Sequence, residues 1–60
     1  MPIITVTITP QAVECKRCLA EELTRVASEA TKIPAEKFIV IIDENARESI
    51  AVGGKLLSDM

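Results

Sequence analysis

Two short apolar stretches, Ile3-Ile4-Thr5-Val6-Thr7-Ile8 and Phe38-Ile39-Val40-Ile41-Ile42, leave this chain few ways to fold. Both are dense in β-branched side chains, which suit a pleated surface and lose rotamer freedom in a helix. In the first, Ile4, Val6 and Ile8 fall on one face and Ile3, Thr5 and Thr7 on the other, the period of a strand. The second is apolar on both faces, as an interior strand covered from two sides would be. A single helical segment lies between them, so the natural unit is a β-α-β crossover with parallel strands.

Thr9-Pro10 reads as the start of that helix, with threonine as N-cap and proline at the first helical position. Counting about 100° per residue from Leu19, the residues Ala12, Cys15, Leu23, Val26 and Ala30 form one apolar stripe. Lys16, Arg17, Glu21, Arg25 and Lys32 lie at its flanks or opposite. The stripe predicts a helix from Pro10 to Lys32, and Pro34 stops it because the residue before a proline disfavours helical angles. Beyond the second strand, Asp43 to Glu48 reads as a polar loop, and Gly53-Gly54 after Ser49-Ile50-Ala51-Val52 predicts a hairpin, where positive φ is cheap. Leu56 and Leu57 are too apolar for a free tail, and a partner chain is expected to cover them. The expected fold class is α+β, one domain over residues 1–60: a β-α-β protomer with a C-terminal β-hairpin.

A chain of 60 residues buries only about 60% of the surface it exposes when unfolded. Yet 48% of these residues are hydrophobic, and neither a disulfide framework nor a metal cluster is present as a staple, so a homo-oligomer is expected. Apolar runs are far short of the roughly 20 residues that span a bilayer, and no charged-then-apolar leader precedes the first strand, so a cytoplasmic protein without a membrane role is expected. A net charge of -2 and a single aromatic residue, Phe38, give nucleic acid neither an electrostatic footprint nor a stacking platform. Histidine and tyrosine are absent, so proton transfer near neutral pH falls to a carboxylate, a lysine, a cysteine or a terminal amine.

The terminal amine is the group of most interest. Small residues such as proline after the initiator normally permit its removal, and Pro2 would then carry a free secondary amine at the head of a strand. Read from the residues alone, an accident of sequence beside a plain strand is the favoured account of Pro2. Cys15 and Cys18 have the Cys-x-x-Cys spacing of thiol redox sites and half of a zinc site. No second ligand pair completes it, and packing explains Cys15 while chance explains Cys18. Asp43 and Glu44, at a strand end, read as solvated caps.

The order Met1-Pro2-Ile3, one crossover, Ile39-Val40-Ile41-Ile42-Asp43-Glu44 and Val52-Gly53-Gly54 resembles the 4-oxalocrotonate tautomerase family over essentially the whole chain. The tail Val52-Gly53-Gly54-Lys55-Leu56-Leu57-Ser58-Asp59 is most similar to its small DmpI-like branch. The resemblance implies protomers that pair into a four-stranded sheet and assemble as a hexamer, a trimer of dimers. It implies a keto-enol tautomerase that uses neither cofactor nor metal, with Pro2 as general base on a small 2-hydroxymuconate-like acid. Two family arginines that clamp the substrate are missing: their places are taken by the Pro10-Gln11-Ala12 stretch and by Ile39, and a family phenylalanine falls at Ile50.

Proline's amine is mostly protonated at neutral pH, so a free base requires its pKa to fall by about two to three units, roughly 3–4 kcal/mol. Desolvation by Ile50 and Phe38 and a nearby cation both act in that direction. Arg47, close to Ile50 in sequence, is the expected cation and enolate stabiliser, its plain alternative being a solvated loop charge. With Pro2, Arg47 and Ile50 form the expected site. The other classes left open are a non-catalytic oligomeric module that kept the fold without the arginine clamp, and an enzyme using the Pro2 amine as a nucleophile or for hydration.

Overall fold

The computed structural model covers Met1–Met60. The elements are β1 (Ile3–Ile8), α1 (Val13–Thr31), a 3₁₀ turn at Ala35–Lys37, β2 (Ile39–Glu44), a 3₁₀ turn at Arg47–Ser49, β3 (Ala51–Val52), β4 (Lys55–Leu56) and a 3₁₀ turn at Leu57–Asp59. The α+β class and the strand-helix-strand-hairpin order are as expected. β1 and β2 pair in parallel, from Ile3 opposite Ile39 to Ile8 opposite Glu44. β2 therefore runs through Asp43 and Glu44, which the sequence assigned to a loop.

That register sets Ile4 beside Val40 and Val6 beside Ile42, so these residues and Ile8 share one half-buried face. The helix covers it with Leu19, Ala20, Leu23 and Ala27, all half-buried. Only Leu19 and Leu23 belong to the stripe expected from sequence: Ala12, Cys15, Val26 and Ala30 are exposed. The contact is rotated toward Ala20 and Ala27 because two strands make a narrow floor, and small side chains let the backbone settle onto it. The far edge of the apolar stripe is left without cover.

The helix also starts later than Thr9-Pro10 suggests. Ala12 is the N-cap, in an extended conformation (ψ 154) and without a side-chain cap bond. The cause is tertiary: the Gln11 N–H donates to Glu44 Oε2 at 2.8 Å, and the Gln11 side chain turns back onto Thr9, which holds these residues out of the helix. At the other end Lys32 adopts a left-handed conformation (φ 63), donating its N–H to Ser28 O at 2.9 Å, and Pro34 follows.

The hairpin forms as predicted, Ala51 opposite Leu56 and Val52 opposite Lys55. Gly53 and Gly54 both have positive φ (60 and 84), the requirement of a tight two-residue turn between twisted strands. Part of the tail packs on its own chain: Leu57 is half-buried and its N–H donates to Ile50 O at 2.8 Å, while Leu56 stays exposed.

One protomer is far from close-packed. Its radius of gyration is 14.4 Å, where a compact chain of this length has about 10 Å. Its accessible surface is 4422 Å², against about 3,800 Å² for a compact monomer of its mass. No residue is fully buried, and the open face of the sheet leaves Ile3 58%, Ile39 38% and Ile41 47% exposed. A sheet face and a hairpin arm both lack cover within the protomer. No helix is long and apolar enough to cross a membrane.

Candidate active site

Pro2 stands at the entrance to β1, half-buried, with Met1 89% exposed on its other side. Its carbonyl accepts the Ile39 N–H at 3.0 Å, one residue before the paired strands begin. This bond ties the Pro2 carbonyl to the head of the sheet. Phe38, half-buried and next to Ile39, supplies apolar surface at the same end.

Arg47 and Ile50 lie elsewhere. In a parallel pair the heads of both strands sit together, and six residues at roughly 3.3 Å each put Ile8 and Glu44 about 20 Å from Pro2's end. The chain leaves β2 there, with the Asn45 N–H donating to Ile8 O at 2.9 Å. Arg47 opens the following 3₁₀ turn and its Nη2 donates to Leu57 O at 3.2 Å, bracing the hairpin arm. Ile50 is half-buried under the same arm. A single protomer therefore brings together Pro2 and Phe38 but not Arg47 or Ile50, and nearness in sequence carried no sign of this.

The far end of the sheet holds a polar knot that sequence reasoning missed. Glu44 accepts the Gln11 N–H and, through Oε1, the Lys16 ammonium at 2.9 Å. The Lys16 hydrogen bond first, and the Gln11 N–H after it, hold the Glu44 carboxyl below its ordinary value of 4.5. Because the folded value is the lower one, the tether contributes fully above 4.5 and is lost as pH falls through the folded pKa. The Gln11 amide proton resonance is expected to titrate with a midpoint below 4.5, and Glu44→Gln to abolish that titration. Lys16 and Glu44 are 28 positions apart, so only the strand register could have revealed the pair.

Gln11 belongs to the Pro10-Gln11-Ala12 stretch, the expected place of one of the two missing arginines. Its amide nitrogen donates to Thr9 O at 2.9 Å and lies 3.4 Å from Thr9 Oγ1, so its donors are spent on its own loop. Asp43 makes only a local contact, with Asn45 Nδ2 at 3.3 Å. Cys15 and Cys18 are free and both exposed, so Cys15 is not the packed residue the stripe suggested. Cys15 Sγ lies 3.8 Å from Gln11 Oε1, and no group of three or more potential metal ligands is gathered anywhere. The one sizeable groove, about 520 Å³, runs along α1 past Thr24, Arg25 and Ser28 to Ala35, and Pro2 does not line it.

Comparison with known proteins points to one family. The tautomerase enzyme family model matches residues 2–60. The chain is 43% identical over 60 residues to a probable tautomerase of Bacillus cereus, covering 98% of both chains. It is 41% identical over 61 residues to the 2-hydroxymuconate tautomerase of Bacillus subtilis, covering 100% of this chain and 98% of the relative. Among solved structures it superposes on YwhB, a homologue of 4-oxalocrotonate tautomerase, with a TM-score of 0.92 at 40% identity and 98% coverage of both chains. A heterohexameric 4-oxalocrotonate tautomerase from Chloroflexus aurantiacus superposes with a TM-score of 0.93 at 26% identity, covering 100% of this chain and 98% of that one.

Proposed function

Because this chain belongs to the tautomerase family, we propose that Pro2, freed of Met1, is the general base of a cofactor-independent keto-enol tautomerase. Its substrate is a small unsaturated 2-keto or 2-hydroxy acid of the 2-hydroxymuconate kind. The observation that carries this is the pinned position of Pro2: the family match begins at residue 2, and the Pro2 carbonyl is locked to the Ile39 N–H at the half-buried head of the sheet.

The chemistry is a proton shuttle. The substrate's proton leaves oxygen or carbon for the Pro2 nitrogen, and the electron pair left behind spreads over the conjugated carbonyl system as a dienolate. The protonated amine then returns its proton to a different carbon, and the base is restored. No electron acceptor is consumed. The amine works only when unprotonated, so apolar cover from Phe38 and neighbouring chains has to exclude water from it.

The site is shared between copies. Dimers built on the β1–β2 sheet assemble into a homohexamer, a stoichiometry supported by the heterohexameric relative and by the uncovered face of Ile3, Ile39 and Ile41. Ile50 of a neighbouring copy then takes the apolar substrate-facing place that it cannot reach within its own protomer, while the Arg47 side chain stays on the Leu57 carbonyl and braces the hairpin arm. Free thiols at Cys15 and Cys18 suit a reducing compartment, which supports a cytoplasmic location.

Intact-mass measurement of protein from its native host, followed by an assay for 2-hydroxymuconate ketonisation, tests the proposal. The expected result is a mass lacking Met1 and catalysed turnover. Retained Met1 would make the Pro2 nitrogen an amide without basicity and would end the proposal.

A further inference from the structure

We infer that Lys37 is the substrate-binding cation of this site, holding the carboxylate beside the reacting carbonyl, and that the enzyme in consequence accepts 2-keto monocarboxylic acids. The inference rests on Pro2 as the base. Lys37 ends the 3₁₀ turn Ala35–Lys37 that leads into β2. Its backbone is fixed: the Lys37 N–H donates to Pro34 O at 3.0 Å and the Phe38 N–H to Ala35 O at 3.1 Å. Two residues later the Ile39 N–H bonds the Pro2 carbonyl. The Lys37 Cα is thus within about 7.6 Å of the Ile39 Cα, and a four-carbon stem extends its ammonium further.

The other basic residues are occupied or remote. Lys16 is held by Glu44, Arg25 by Glu22 and Glu29, and Arg47 by the Leu57 carbonyl. Arg17 is in the first half of α1, toward the far end of the sheet, and Lys55 is on the hairpin arm. Lys32 closes α1, seven positions before Ile39. Lys37 is exposed, and its side chain enters none of the protomer's ion pairs or hydrogen bonds. The charged groups around it are Glu36 on its own turn, and Glu29, already held by Arg25, and Lys32 at the end of α1.

An ammonium is a compact point charge with three donors, whereas an arginine offers a planar fork that fixes a carboxylate in two places. Ile39 removes the fork from the strand, and the Gln11 amide is spent on Thr9. One carboxylate is therefore gripped and a second has no clamp in this chain. The same ammonium opposes protonation of the Pro2 amine, because like charges disfavour one another.

The test compares Lys37→Met, Lys37→Arg, Lys32→Gln and Pro2→Ala in full-length protein with phenylenolpyruvate and 2-hydroxymuconate, after confirming that the oligomeric mass is unchanged. For Lys37→Met, KM is expected to rise about 10- to 100-fold, the loss of one charge-assisted hydrogen-bonding partner, with kcat reduced less. The acid limb of its kcat/KM profile is expected to move to higher pH. Lys37→Arg should restore KM, Lys32→Gln should change neither quantity, and the unaltered enzyme should turn over the two substrates with kcat/KM values within about tenfold. If Lys37→Met leaves KM and the acid limb in place while Pro2→Ala abolishes turnover, the assignment of Lys37 fails and the proline base stands. Unchanged turnover in Pro2→Ala removes both.

Discussion

Replacing Pro2 with alanine is expected to lower kcat/KM for a simple enol such as phenylenolpyruvate by about 10²- to 10⁴-fold, the range that a positioned general base supplies. The substitution keeps a terminal amine but removes the ring that fixes it. The strand behind it should survive, because the bond that anchors residue 2 runs from the Ile39 N–H to a backbone carbonyl that alanine also carries. Circular dichroism and oligomeric mass should therefore match the parent, so the lost rate reads directly as lost proton transfer. A variant with undiminished turnover would show that another group, a carboxylate or a lysine, moves the proton.

The second large effect is on assembly. Ile41→Glu places a carboxylate in the middle of the open sheet face, 47% exposed in one protomer and flanked by exposed Ile3 and Ile39. Covering three isoleucines is worth roughly 1.5–3 kcal/mol each, a total comparable with the whole stability of a small domain, about 5–15 kcal/mol. A carboxylate buried there without a partner costs several kcal/mol more. Light scattering is expected to show a hexamer for the parent, with smaller species and a markedly lower Tm for the variant. A variant that kept both the parent's mass and its Tm would show that this face points to solvent in the assembly.

Much of the fold was legible because its signals are local. Alternation in Ile3–Ile8 requires no partner to be recognised as a strand, and neither does the pair Gly53-Gly54 as a turn. The helix body was equally plain, since nothing from Val13 to Thr31 interrupts it. Its start was not. Thr9-Pro10 has the chemistry of a cap, but the Gln11 N–H bonds a carboxylate 33 positions away, and that contact outweighs local preference. The apolar stripe was drawn on the correct helix but off-centre, because a periodicity gives the width of an apolar face and not which part a narrow sheet will cover.

The site divides in the same way. Pro2, one residue before the first strand, was a candidate by its position but was favoured only through the family resemblance, and the absence of histidine and tyrosine narrowed the candidates for base. Arg47 and Lys37 could not be ranked against each other from sequence. Arg47 is next to Ile50 along the chain, yet parallel pairing sends it to the opposite end of the sheet from Pro2 and returns Lys37 to Pro2's end.

The amino-acid order alone marked the bodies of the strands, the helix and the turn, and led to the expectation that so small and apolar a chain associates. Those properties arise from side-chain period, backbone restriction and the ratio of surface to volume, each of which acts over a few residues or over the chain as a whole. Tertiary structure alone decided the register of β1 against β2, the late start of the helix, which sheet face is left open and which basic residue leads into the strand at Pro2's end of the protomer. Each of these depends on which atoms meet across twenty or more residues, where a single hydrogen bond such as that from Ile39 to Pro2 selects one arrangement among several that the local preferences allow equally.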